Sequence, residues 1–193
     1  MSFITQCHLR YEVTSSSLTL WHGGNLDFGQ DFIAHKGGRW EHGPGLYLTT
    51  HYGTAKKYAK GSRKLYRVVV EKGTDIQDVS LPLEKVKDFL DTYGIKAKKK
   101  EILEILQKRE KEGGIEADIL VNVLVNESAI KNTNTDQLRK FLVENGVDYS
   151  IVDNAFGWHE RMLVLFNMKK IISKQVIKST DKIADFDLPI DWK

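Results

Sequence analysis

Cysteine is nearly missing from this chain of 193 residues, where Cys7 stands alone. A single thiol closes no internal disulfide and has no CxxC partner, so a disulfide-stapled secreted scaffold and a thiolate zinc site are both excluded by arithmetic. Long apolar runs are missing as well. Nothing approaches the roughly eighteen consecutive apolar residues of a membrane span, and the opening MSFITQCHLRYEV interleaves polar residues too early for a secretory leader. The expectation is a protein with no membrane partner, kept in the reducing cytoplasm. No charge sign dominates: 29 Lys and Arg against 26 Asp and Glu leave a formal charge of +3. That permits an anionic ligand without the dense field of a dedicated nucleic-acid binder. The most basic run, KAKKK at 96–100, reads as a solvated helix start, with an RNA or DNA contact as the alternative. No repeat of 20–50 residues recurs.

What is present fits one globular domain over residues 1–193, with 41% hydrophobic and 28% charged residues. Residues 3–13 and LTLWH at 18–22 read as strands parted by a TSSS turn. The segment HKGGRWEHGPG at 35–45 carries four of the fifteen glycines and one of three prolines, too many breakers for regular structure. LYLTT reads as a short strand, HYGTAKKYAKG as a short helix stopped at Gly61, and KLYRVVVEKG as a β-branched strand. From 82 to 112 the period turns helical, through Val86, Phe89 and Leu90 and then Ile102, Leu103, Ile105 and Leu106, ending at Gly113 and Gly114. This predicts a helical insertion within the domain. ADILVNVLVN fits a buried strand or a helix, and its length and continuation into ESAIK favour helix. TDQLRKFLVENG predicts a capped amphipathic helix with Leu138, Phe141 and Leu142 on one face and Gly146 as its stop. DYSIVD and ERMLVLF read as closing strands before KKIISKQVI and a polar tail at 179–193. The fold class expected is α+β, or mixed α/β, with flanking helices.

Three local patterns hold the residues best suited to chemistry. LWHGG ends an early strand, GPGLYLTT followed by AKKY places a tyrosine strand before a helix, and HERMLVLF opens a late strand with a glutamate. Each alone is ordinary: a histidine at a strand end, a strand tyrosine and a strand-capping glutamate all have structural uses. All three, however, sit at strand edges beside glycine-rich turns, where a sheet can open a cleft for a flat ligand.

In that order they resemble the ADP-ribosyltransferases of the diphtheria-toxin and poly(ADP-ribose) polymerase type. Those enzymes carry a His-Gly on an early strand, a Tyr on a G-[ILF]-Y strand followed by a helix with small residues and a second Tyr, and a Glu opening a late apolar strand. Here His22-Gly23, then Gly45-Leu46-Tyr47 with Thr54, Ala55 and Tyr58, then Glu160 before RMLVLF match that order. The stretch LVENGVDYSIVDNAFGWHERMLVLFNMKKI is similar to the C-terminal half of small bacterial and phage members. The resemblance covers residues 18–72 and 137–173. It implies split, mixed or antiparallel β-sheets, NAD as co-substrate, and a toxin-like transferase acting on a protein or nucleic-acid acceptor. Thr54 lies seven positions after Tyr47 where polymerase-type members have eight, whereas Tyr58 keeps the spacing of eleven. A chain this short favours a single transfer over polymerisation.

The chemistry suits those residue types. Breaking the nicotinamide–ribose bond leaves a cationic, oxocarbenium-like sugar, which negative charge beside it stabilises. Glu160 is the expected source of that charge, with His22 and Tyr47 completing the catalytic set. Gly23 offers backbone N–H and C=O to the carboxamide and, lacking a side chain, a close approach. Tyr47 and Tyr58 are expected as aromatic walls for the pyridinium, and His22 as a hydrogen-bonding partner of the adenine-side ribose. Thr54 is expected to touch the carboxamide. Arg39 is placed either on the diphosphate or in solvent. Trp40 and Trp158 fit core or cleft rim equally. His35, His42, His51 and His159 lack zinc-ligand spacing, so no metal is expected. Two alternatives keep the fold but change the reaction, namely NAD hydrolysis and RNA 2′-phosphotransfer. A third is a non-catalytic nucleic-acid-binding module.

Overall fold

The computed structural model describes residues 16–26, 40–59, 64–111, 114–155 and 160–177. The strand expected at 3–13, His35, Arg39, Gly61, Gly113, Trp158, His159 and the 179–193 tail lie outside the described residues. In chain order the elements are β1 (Ser17–Gly23), β2 (Leu46–Thr49), α1 (Tyr52–Tyr58), β3 (Leu65–Glu71), β4 (Ser80–Leu81), α2 (Leu83–Tyr93) and α3 (Lys99–Gln107). They continue with β5 (Ile115–Glu116), α4 (Ala117–Asn126), α5 (Thr135–Glu144), β6 (Tyr149–Asp153), β7 (Arg161–Leu165) and β8 (Ile171–Ile177).

Six strands form one sheet in the order β6-β7-β2-β1-β3-β8, while β4 and β5 make a separate two-stranded ribbon. Every ladder between these strands is antiparallel, so the mixed sheet allowed by the sequence is not found among the described residues. The fold is a mixture of helices and strands in which helices flank an antiparallel sheet.

The burial pattern of β7 explains how the layers assemble. Met162 to Leu165 are all buried, without the polar alternation of a half-exposed strand. Successive side chains point to opposite faces, and here both faces are covered. Met162 and Val164 join the cluster built with the helices, whereas Leu163 and Leu165 join a second cluster with Leu18, Leu20, Leu46, Leu48, Val68 and Val70. A third, smaller cluster packs Tyr52, Ala55 and Ala59 of α1 and its end against Trp21, Leu65 and Ile177.

The run at 82–112 forms α2 and α3, and its apolar residues belong to the main core. Val86, Phe89, Leu90, Ile102 and Leu106 are buried in one cluster with Leu120 and Leu124 of α4, Leu138 and Leu142 of α5, and the helix-facing side of β7. Phe89 also meets Phe141 of α5 at a ring separation of 4.8 Å. ADILVNVLVN is helix α4, with Leu120, Val121, Val123 and Leu124 buried. Gly146 follows α5 with φ +88°, a left-handed stop that suits glycine. The side-chain cap expected for α5 does not form. Asn134 donates instead to the Tyr93 carbonyl at 3.1 Å, and Thr135 to the Asn132 carbonyl at 2.9 Å. The lysine run opens α3 at the surface, with Lys96 and Lys100 exposed: Lys98 donates to the Glu127 carbonyl, Lys99 pairs with Asp91, and Lys100 lies 4.0 Å from Glu104.

Candidate active site

The sheet is weakest between β1 and β2. β3 pairs with β1 along its whole length, from Ser17 to Gly23, but β2 shares only the Trp21–Thr49 position with it. Beyond that position the two strands part, and the gap opens into a cavity of about 500 Å³, within the range of about 300–1,000 Å³ typical of small-molecule and cofactor sites. His22, Gly23, Tyr47, Thr49, Thr54 and Tyr58 line it, with Glu41 and His42 from the glycine-rich loop and Ala155 and Met162 from the far side.

Glycines shape this opening by letting backbone meet backbone. A Cβ on Gly23 would overlap the carbonyl oxygen of Ala55, so α1 sits directly on the end of β1. The missing side chain expected to admit a ligand is therefore needed for helix packing, and Gly23 meets the cavity with its backbone. In the loop before β2, Gly43 has φ +108° and packs against Phe166, and a Cβ on Gly45 would lie 2.6 Å from the Leu165 carbonyl. Both positions need glycine to lay the loop on β7.

His22 and Tyr47 then tie the parted strands together. His22 Nδ1 lies 2.8 Å from the Tyr47 carbonyl oxygen. A carbonyl can only accept, so Nδ1 carries the proton and the neutral ring's Nε2 is its acceptor nitrogen. The Tyr47 hydroxyl donates to the Gly43 carbonyl at 3.0 Å and accepts from the His42 backbone N–H at 3.4 Å. Burial pushes the Tyr47 phenol up to about 12, helped by the nearby Glu41 charge and opposed by the His42 N–H. It therefore stays protonated and can keep holding the loop. Tyr58 differs in being 60% exposed at the end of α1, which leaves a broad aromatic face at the cavity rim.

Glu160 is placed by strand register. Thr49 faces Met162 across the β2–β7 ladder. Thr50 extends that pairing by one step, its N–H donating to the Arg161 carbonyl at 3.0 Å while its hydroxyl accepts from the Arg161 N–H at 3.0 Å. Glu160 comes next, only 3% exposed. A buried carboxylate needs donors to replace water, and two threonine hydroxyls supply them, with a histidine ring beside them. The Thr49 hydroxyl donates to Oε1 at 2.6 Å, the Thr54 hydroxyl donates to Oε2 at 3.0 Å, and His51 Nδ1 lies 3.5 Å from Oε2. Arg161 turns away to Asp153, with Nε 2.7 Å from Oδ1.

This arrangement adds two features to the sequence expectation. Thr54, expected at a carboxamide, lines the cavity and also donates to Glu160. Glu160 itself lies behind the lining, and its two threonine partners form the wall between it and the cavity. Thr49 and His51 were missed. Thr49 was within reach of sequence reasoning, because alternation along β2 puts it on the same face as Tyr47. His51 gave no comparable signal, since its relation to Glu160 depends on the β2–β7 register.

Among the described residues no group of three His, Cys, Asp or Glu side chains is arranged to hold a metal ion, and no helix is long and apolar enough to cross a membrane. No protein-family model matches the chain, and neither a curated protein nor a solved structure matches it. The functional reading therefore rests on the site's own geometry and on the motif order.

Proposed function

We propose that this chain is a mono-ADP-ribosyltransferase with an ADP-ribosyltransferase-like fold, which cleaves NAD at the nicotinamide–ribose bond and transfers ADP-ribose to a macromolecular acceptor. One observation carries the reading. His22, Gly23, Tyr47, Thr54 and Tyr58, drawn from separate motifs, line a single cavity whose wall threonines both donate to Glu160. The cavity lies where the strands of the sheet part, which suits an elongated ligand with flat ends.

In this reading nicotinamide stacks between Tyr47 and Tyr58, and the Gly23 backbone meets its carboxamide. A pyridinium over a tyrosine face gains about 0.5–2 kcal/mol. His22, with Nδ1 donating to Tyr47, accepts a ribose hydroxyl at Nε2. The Thr54 hydroxyl donates a hydrogen bond to Glu160 and keeps lone pairs for a ribose hydroxyl, so carboxylate and sugar communicate through it. As the C1′–N bond breaks, its electron pair leaves with neutral nicotinamide and positive charge develops on the ribose. The Glu160 carboxylate stabilises that charge across the threonine wall. The acceptor's nucleophilic atom then bonds to C1′ and releases its proton to solvent.

The test is incubation of the protein and a cell lysate with NAD labelled in its adenylate half, followed by separate protease and nuclease digestion. The reading expects a covalently labelled macromolecule and free nicotinamide. Nicotinamide release without labelling would instead assign NAD hydrolysis, and salt-sensitive RNA binding with no NAD cleavage would assign a binding module.

A further inference from the structure

The cluster around Glu160 contains one side chain to which the proposed reaction gives no task. His51 precedes α1 at its N-terminal cap position, yet its ring makes no capping bond. Nor is it part of the cavity lining. Its Nδ1 lies 3.5 Å from Glu160 Oε2, the oxygen that also accepts from Thr54. Its backbone N–H donates to Thr49 Oγ1 at 3.0 Å, and Thr49 in turn donates to Oε1 at 2.6 Å.

These bonds have directions. Thr49 Oγ1 already accepts from the His51 N–H, so its own proton is turned toward Glu160. The Glu160 carboxylate is thereby fixed at Oε1, while Oε2 is held from two sides by Thr54 and by the His51 ring. Thr54 stands on the cavity side of that grip, and His51, part-exposed, stands outside the cavity lining. Without the ring, Oε2 would retain one holder, and the angle at which Thr54 meets the carboxylate would no longer be set.

We propose that His51 is a positioning residue for Glu160: through Nδ1 it fixes Oε2, and so fixes the direction in which Thr54 presents its lone pairs to the cavity. The inference rests on the NAD-cleaving reading for its consequence in turnover, but not for its geometry. It predicts an effect on the chemical step with little on NAD binding, because His51 lies outside the lining.

The bond from the His51 backbone to Thr49 survives any side-chain replacement other than proline, so substitution isolates the ring. Asn puts an amide nitrogen where Nδ1 stands, whereas Gln puts one where Nε2 stands. His51→Gln and His51→Ala are expected to lower kcat for nicotinamide release about tenfold, the order of a weak polar contact to a charged group. In both, KM for NAD should stay within about twofold, and His51→Asn should recover most of the kcat. Equal losses in Asn and Gln, a KM that rises in step with the fall in kcat, or an unchanged kcat would each overturn the proposal.

A second measurement needs no turnover. The ¹³C carboxyl resonance of Glu160, assigned by its absence in Glu160→Gln, should move in His51→Gln and return toward its wild-type position in His51→Asn. A resonance unmoved by His51→Gln overturns the positioning role. If the wild-type protein does not cleave NAD, the functional reading fails while this resonance still decides the geometry.

Discussion

The helical half of the molecule and the open end of its sheet bury side chains of opposite kinds. Around α2, α3, α4 and α5 the buried residues are apolar apart from Thr135 at the start of α5, from Val86 to Leu142 and on to Phe166. At the Thr49 end of β2, Thr49, Thr50 and Glu160 are buried together, three of the five polar side chains that are buried among the described residues. Polar burial is stable only where every group finds a partner, and it constrains geometry more tightly than apolar contact does. The contrast teaches that β7 serves two ends. Its middle is a core strand, and the residue just before its first, Glu160, is a carboxylate held by Thr49 and Thr54.

Substitutions should separate the two regions. Glu160→Gln has the largest expected effect, lowering nicotinamide release about 10²–10³-fold, or roughly 3–4 kcal/mol of transition-state stabilisation, while the fold persists. Steady-state kinetics alongside a thermal melt would check this, and full activity would break the comparison. Leu124→Ala, in the helical half, should do the reverse. It should destabilise the protein by about 2–5 kcal/mol in denaturant titration while each folded molecule keeps its activity.

Tyr47→Phe is intermediate. Because the Tyr47 phenol is pushed up from 10.0 to about 12, the unfolded chain loses this proton first as pH rises. The stabilisation is complete below pH 10 and is lost between pH 10 and 12, at most about 1.4 kcal/mol per pH unit. Denaturant titrations across that window should show a shallower decline in Tyr47→Phe than in the wild type. The smallest effect is expected for Tyr58→Ala at the exposed rim. There the affinity for NAD should fall by about 0.5–2 kcal/mol, seen by calorimetry with little change in stability.

Much of this layout could be read from the residues alone. The β-branched residues of LYRVVVE and the apolar run MLVLF mark β3 and β7, and the length of ADILVNVLVN with its continuation into ESAIK favours the helix that α4 forms. The order of the motifs also picked out His22, Gly23, Tyr47, Thr54 and Tyr58, which are among the residues that line the cavity. What could not be read depends on contacts between distant segments. The place of α2 and α3 in the core follows from packing with Leu138 and Leu142, some thirty or more residues further along the chain. Gly23 invites a ligand in the sequence, but in the fold it admits Ala55 of α1. The bonds from Thr49 and Thr54 to Glu160 span 111 and 106 residues, which no local pattern reports.

The most direct measurement is an NMR titration of isotopically labelled protein with NAD, because it asks which of the two regions receives the ligand. The account predicts saturable shifts at Gly23, Tyr47, Thr54 and Tyr58, with α2 to α5 unchanged. Shifts confined to the helical half, or none anywhere at millimolar NAD, would contradict it.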